Sequence, residues 1–249
     1  MSESRQVYGF HATGEILDRN PSAVKELLLL RGRKDRRLAA MREKAEGIGV
    51  PCRELVRSEL DALASGKHQG VIAIVGDDAP APSLDERGLL ELLETKGAEA
   101  FLLILDSITD PHNLGACLRS ADAAGVDAVV IPANKSVRVN ATVRKIASGA
   151  AETVPVVTVT NLARFLDRLK QAGIWVAGAA EDAPAAIFDQ DLTGPIALVL
   201  GSEGKGIRRL VREKCDYLVA IPMGGSLRSL NVSVAAGICL FEVVRQRRA

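Results

Sequence analysis

The sequence predicts an α/β protein in two parts, the larger built on a mainly parallel sheet. Three observations carry this expectation. Six short aliphatic runs follow one another from Phe101 onward, with helical segments between most of them, the pattern of strand–helix–strand units. The apolar fraction is 47 % while aromatics make up only 3 %, so the core is aliphatic, as buried parallel strands under helices require. A polar stretch, GDDAPAPSLDERG at 76–88, sets Pro80, Pro82 and four acidic residues between two patterned regions, a composition that reads as a linker.

In the first part, residues 27–30 read as a strand, 35–46 as a helix and 50–55 as a second strand. A short helix over 58–64 and a third strand over 70–75 follow. The expected division is 1–75, a linker over 76–95, and 96–249. The strands of the larger part are FLLIL, AVVIP, VPVVTV, IWVAGA, PIALVL and YLVAIP. The last element, 230–247, is a long amphipathic helix ending in basic residues, where cations suit the helix dipole.

The chain has 249 residues, enough for a sizeable core, and its 32 basic and 31 acidic side chains leave a net charge of +1. Global charge therefore points to no polyanionic partner, and a nucleic-acid site must be a local patch. The N-terminal MSESRQVYGF is polar and lacks the apolar centre of a signal peptide. The longest apolar runs are too short to cross a bilayer, so the expectation is a cytoplasmic protein with no membrane contact. Cys52, Cys117, Cys215 and Cys239 are scattered without CxxC spacing and read as reduced thiols. His11, His68 and His112 are too few and too dispersed to suggest a metal centre.

Local charge is less even. Residues 30–44 hold seven cations (Arg31, Arg33, Lys34, Arg36, Arg37, Arg42, Lys44) against Asp35 and Glu43. This run is either a solvated helix face or an edge that contacts RNA phosphates. Tyr8-Gly9-Phe10-His11 and Lys67-His68-Gln69-Gly70 could likewise meet RNA or form structural turns.

Three segments of the larger part are candidates for chemistry. In residues 105–121 a strand ends in a polar loop, Pro111 can open a helix, and Asn113 sits in its first turn with Arg119 six positions on. In 198–207 a strand runs into Gly201-Ser202-Glu203-Gly204-Lys205-Gly206. Glycines let backbone approach a ligand, yet the spacing is neither a P-loop nor the dinucleotide fingerprint. Glu203 suits a cationic neighbour or ligand there. In 221–235 a strand passes Ile221, Met223 and a Gly-Gly loop into SLNVSVA. Ser229 and Asn231 would cap the last helix on residue type alone.

In this order and spacing the three segments resemble the motifs of the SpoU (TrmH) family of RNA ribose 2′-O-methyltransferases, of the α/β-knot (SPOUT) class. The similarity runs from VYGFHA through DPHNLGACLRSADAAGV and residues 139–145 to NVSVAAGICLFEVVRQR. It implies a C-terminal catalytic domain with a deep trefoil knot and a small N-terminal ribosomal-protein-like RNA-binding domain, working as a homodimer. It implies S-adenosylmethionine as cofactor, held near Gly201, Ile221, Met223 and Leu230, with no metal. It implies Asn113, Arg119, Glu203, Ser229 and Asn231 as catalytic positions. Arg119 would bind a phosphate and stabilise the developing alkoxide, with Glu203 orienting it. The implied substrate is large-subunit rRNA, at a guanosine of the peptidyl-transferase P-site loop. Arg228 and Lys205 depart from the family's usual residues, and Arg228 would add a phosphate contact. The alternatives are an RNA-binding assembly factor with a vestigial site, and a nicotinamide oxidoreductase. The second lacks a GxGxxG with an acid about 20 residues on.

Overall fold

The computed structural model describes residues 4–33, 35–64, 68–76, 84–226 and 229–248. Lys34, Lys67, Arg228 and the linker residues 77–83 lie outside them. The chain forms two compact units, divided after Pro82.

In the first unit the order is β1 (Ser4–Tyr8), α1 (Phe10–Arg19), β2 (Val24–Leu30), α2 (Arg36–Gly47), β3 (Cys52–Leu55), α3 (Arg57–Leu63) and β4 (Val71–Gly76). The sheet runs β1-β4-β2-β3, with β4 antiparallel to both neighbours and β2 parallel to β3. Successive side chains of a strand face opposite sides. Leu27 and Leu29 therefore pack with Ile16, Leu38 and Ala45 under α1 and α2, while Leu28 packs with Leu60 and Ile72 under α3. Strand β1 and helix α1 go beyond the elements expected from the sequence.

The second unit contains α4 (Glu86–Lys96), β5 (Phe101–Asp106), α5 (Pro111–Ala124), β6 (Ala128–Pro132), α6 (Ala141–Ala147) and α7 (Ala150–Thr153). There follow β7 (Val156–Val159), α8 (Leu162–Gln171), β8 (Trp175–Ala179), β9 (Ala185–Ala186), β10 (Ile196–Gly201), α9 (Arg209–Arg212), β11 (Tyr217–Ala220) and α10 (Val232–Arg247). The sheet order is β7-β6-β5-β10-β8-β11-β9, parallel at every pairing. Leu103 and Leu105 face the layer of α5 and α10. Leu102 and Ile104 face Leu89, Leu93, Phe165 and Leu166 of α4 and α8. Burial on both faces explains why the strands are apolar throughout rather than alternating.

Helix α4 corrects the expected linker over 76–95. Asp85 caps it, accepting from the Gly88 N–H at 2.7 Å. Leu89 and Leu93, four apart and thus on one face, are buried in the core of the second unit.

Candidate functional site

The parallel strands end together at their carboxyl ends, where three loops converge. Between β5 and α5, Asp110 accepts from the His112 N–H at 2.9 Å and caps the helix. Pro111 supplies a preset φ at the first helical position. This fixes Asn113 in the first turn. Helix α5 can lie against α6 because Gly115 has no side chain: a Cβ there would sit 2.7 Å from Ile146 Cβ and 2.9 Å from the Val143 carbonyl.

The second loop follows β10. It turns back at once, the Gly206 N–H donating to the Ser202 carbonyl at 2.8 Å, with Gly204 and Gly206 at φ 76° and 62°. Only glycine fits at its base, since a Cβ on Gly201 would lie 1.9 Å from the Gly206 carbonyl carbon. Beyond the loop, Arg208 returns to fully buried Asp106 at the end of β5, donating through its backbone N–H at 2.9 Å and Nε at 2.7 Å.

The third loop leads from β11 to α10. Asn231 caps α10, accepting from the Ser233 N–H at 2.9 Å, so the structural role that its residue type suggested is real. It also carries a second one. Asn231 Nδ2 donates to Asn113 Oδ1 at 2.9 Å and to Glu203 Oε1 at 2.5 Å, and Asn113 Nδ2 donates to the same Glu203 oxygen at 3.2 Å. Three residues from three loops thus close a ring of hydrogen bonds. Glu203 Oε2 takes no hydrogen bond from the described residues.

Beside this ring lies a cavity of about 450 Å³, within the range of small-molecule and cofactor sites. Gly201, Ile221, Met223 and Leu230 line it, as do Glu203 and Ser229. The four cofactor candidates therefore share the cavity with Glu203 and Ser229, Asn113 and Asn231 join it through Glu203, and Arg119 is the exception. Arg119 is exposed on α5 and makes no hydrogen bond or ion pair with any described residue. The expected Glu203–Arg119 pairing is absent: Glu203 gives its oxygen to the two asparagine amides.

Residue reading missed several lining groups. Ala179, Ala180 and Glu181 at the end of β8, Arg212 of α9, and Val232 and Ala235 of α10 all face the cavity. The rule that ligands bind beyond the carboxyl ends of parallel strands would have directed attention to the end of IWVAGA. Arg212 donates to Asp182 at 2.9 Å and, mainly through that bond, holds the Asp182 carboxyl below the usual carboxylate range.

In the first unit both ambiguous turns make contacts within the unit. His68 is buried, with Nε2 2.8 Å from Asp61 and Nδ1 accepting from the Gly70 N–H. The Arg37 guanidinium covers the Phe10 ring at 4.6 Å. The basic run is partly engaged within the unit: Arg42 pairs with Glu54, Lys44 with Asp18, and Arg33 and Arg37 with Asp35.

A glycine-built loop, an amide–carboxylate ring and a cavity of about 450 Å³ at the strand ends of a parallel sheet make a candidate small-molecule site. The family comparisons narrow it. A model of the SpoU rRNA Methylase family matches residues 100–241, and one described as RNA 2′-O ribose methyltransferase substrate binding matches 6–80. The chain belongs to the SpoU rRNA methylase family. It is 53 % identical over 247 residues to the 23S rRNA (guanosine-2′-O-)-methyltransferase RlmB of Pseudomonas aeruginosa, covering 99 % of this chain and 98 % of that one. The protein of the same name from Coxiella burnetii is 51 % identical over 249 residues, covering 100 % and 98 %. Among solved structures, the SpoU methyltransferase AviRb of Streptomyces viridochromogenes, in complex with AdoMet, matches with TM-score 0.72 and 26 % identity. That match covers 98 % of this chain and 91 % of AviRb.

Proposed function

We propose that the chain transfers the methyl group of S-adenosylmethionine to the 2′-hydroxyl of a guanosine ribose in 23S rRNA, in the peptidyl-transferase P-site loop. The observation that carries this reading is the closure of the Asn113–Glu203–Asn231 ring beside the cavity lined by Gly201, Ile221, Met223, Ser229 and Leu230. The names of the relatives supply the substrate.

The cavity fits the cofactor chemically. Leu200, Val219, Ile221 and Leu230 offer apolar walls for a nucleoside, and Glu181 and Glu203 offer carboxylates to a ligand with cationic groups. Side-chain-free Gly201 lets the loop backbone form one wall. When bound, the cofactor supplies a methyl already activated on a sulfonium sulfur, so alignment is the main demand on the protein. Asn113, Ser229 and Asn231 hold the loops and the ribose, and Glu203 locks the ring. Arg119, unpaired among the described residues, holds the adjacent phosphate and stabilises charge developing on the 2′-oxygen. A guanidinium offers donors and no acceptor, so this role is electrostatic rather than that of a base.

The first unit is the RNA-substrate-binding domain and the second the methyltransferase domain, folded as the family's deep trefoil knot. The insertion of β10 between β5 and β8 supports that reading. The active form is a homodimer, since α10 leaves Val234 and Phe241 half exposed on a helix otherwise built into the core. It works in the cytoplasm, where ribosomal RNA is assembled. The test is ribose-methylation mapping of 23S rRNA incubated with the pure chain and S-adenosylmethionine, beside rRNA from a strain lacking the protein. One new 2′-O-methylguanosine, absent from the deletion strain, is expected. Cofactor binding without transfer would favour the assembly-factor alternative.

A further inference from the structure

Asp106 and Arg208, 102 positions apart in sequence, meet where both ends of the glycine loop can be held. Asp106 is the last residue of β5 and pairs in register with Gly201, the last residue of β10, where the loop begins. Arg208 is the first residue beyond the loop. The Asp106 carboxylate, fully buried, accepts the Arg208 backbone N–H through Oδ2 and Nε through Oδ1, with Nη2 2.7 Å from Oδ1. The Ser107 hydroxyl donates to Oδ1 at 3.1 Å. A carboxylate is kept out of water only where partners replace its hydration, and here most of those partners are one residue of a distant loop. Neither Asp106 nor Arg208 lines the cavity.

We propose that Asp106 and Arg208 are positioning residues for methyl transfer: they clamp loop 201–207 so that Glu203 stays bonded to Asn113 and Asn231 and the glycine backbone keeps its place in the cavity wall. The proposal rests on the reading of that cavity as the cofactor site and of Glu203 as part of the catalytic ring. The loop itself holds only the Ser202–Gly206 turn. Without the clamp its exit is tethered by the packing of Ile207 in the core and by backbone contacts, neither of which fixes the direction of the loop. Glu203 must nonetheless meet amides from two other loops within hydrogen-bond distance, and an ångström of drift breaks that geometry.

The experiment uses the full chain, as wild type, Arg208→Ala, Arg208→Lys, Glu203→Gln, the Glu203→Gln/Arg208→Ala double variant and, as control, Arg209→Ala, whose ion pair is with exposed Glu213 on its own helical turn. All measurements are made well below the lowest melting temperature of the set. In the cofactor-free protein, Arg208→Ala should speed hydrogen exchange at the Gly206 amide at least tenfold while β5 and β6 exchange as before. Its S-adenosylmethionine Kd should rise at least tenfold, and single-turnover transfer should fall by a similar factor. Lys at 208, which can restore part of the pairing, should fall between. The double variant should be no slower than Glu203→Gln alone, because both changes act through one loop. Unchanged loop exchange and cofactor affinity would overturn the proposal. So would uniformly faster exchange across the sheet, the mark of a pair that only stabilises, or multiplicative losses in the double variant. Full transfer by Glu203→Gln would instead refute the catalytic reading of the ring, leaving the clamp to be judged by loop exchange and cofactor affinity.

Discussion

Gly201→Ala adds one methyl group and should inactivate the protein. The new Cβ would lie 1.9 Å from the Gly206 carbonyl carbon, and 2.1 Å from both its oxygen and the Ile207 nitrogen. All three are backbone atoms, so no side chain can swing aside. To reach an ordinary contact of 3.4 Å the loop must retreat by about 1.5 Å, the difference between those distances. The Glu203 hydrogen bonds to Asn113 and Asn231, at 3.2 and 2.5 Å, do not survive such a shift. Overpacking of this kind costs about 1–3 kcal/mol of stability. A misplacement near 1 Å can cost on the order of 100-fold in rate. Single-turnover methyl transfer at saturating RNA should therefore fall by roughly that factor, with weaker cofactor binding by calorimetry and a lower melting temperature. A variant with wild-type cofactor affinity and rate would mean that the loop moves freely without consequence, and the account of its rigidity would be wrong.

Three further outcomes are expected. Arg119→Ala should abolish transfer but keep S-adenosylmethionine affinity within a few fold, because Arg119 does not line the cavity; calorimetry that found cofactor binding abolished along with activity would make it a cofactor or folding residue. Burial pushes the thiols of Cys117 and Cys239 up to about 12, so almost no thiolate exists at pH 8, and alkylation of the native protein, read by mass spectrometry, should leave both unmodified until denaturant is added. Charge reversal of Arg33, Lys34 and Arg37 to Glu should weaken rRNA binding and reduce the log–log salt slope by roughly 0.7–0.9 for each phosphate no longer engaged; a slope equal to that of the wild type would assign the basic run to internal pairing with Asp35, Glu54 and Asp18.

The sequence by itself determined most of the local elements and supplied the residues proposed for the site. Buried parallel strands announce themselves as unbroken aliphatic runs, and all six in the larger part are found where their composition puts them. Asp110-Pro111 and Asn231 open helices because a cap or a fixed φ acts over two or three residues, a range that sequence shows directly. Signals failed where local chemistry was mixed. In α4 the Leu89–Leu93 spacing is masked by the prolines and acids just before it, and in α1 the buried pair Ile16–Leu17 stands among polar residues. Tertiary structure alone decided which residues meet. Glu203 finds Asn113 90 positions away, and Asn113 finds Asn231 118 positions away, through a strand order in which β10 enters between β5 and β8. Glu203 was expected to orient Arg119, yet the carboxylate is used by two amides and the guanidinium pairs with none of the described residues. Opposite charges state an attraction, but its strength depends on distance, and distance belongs to the fold.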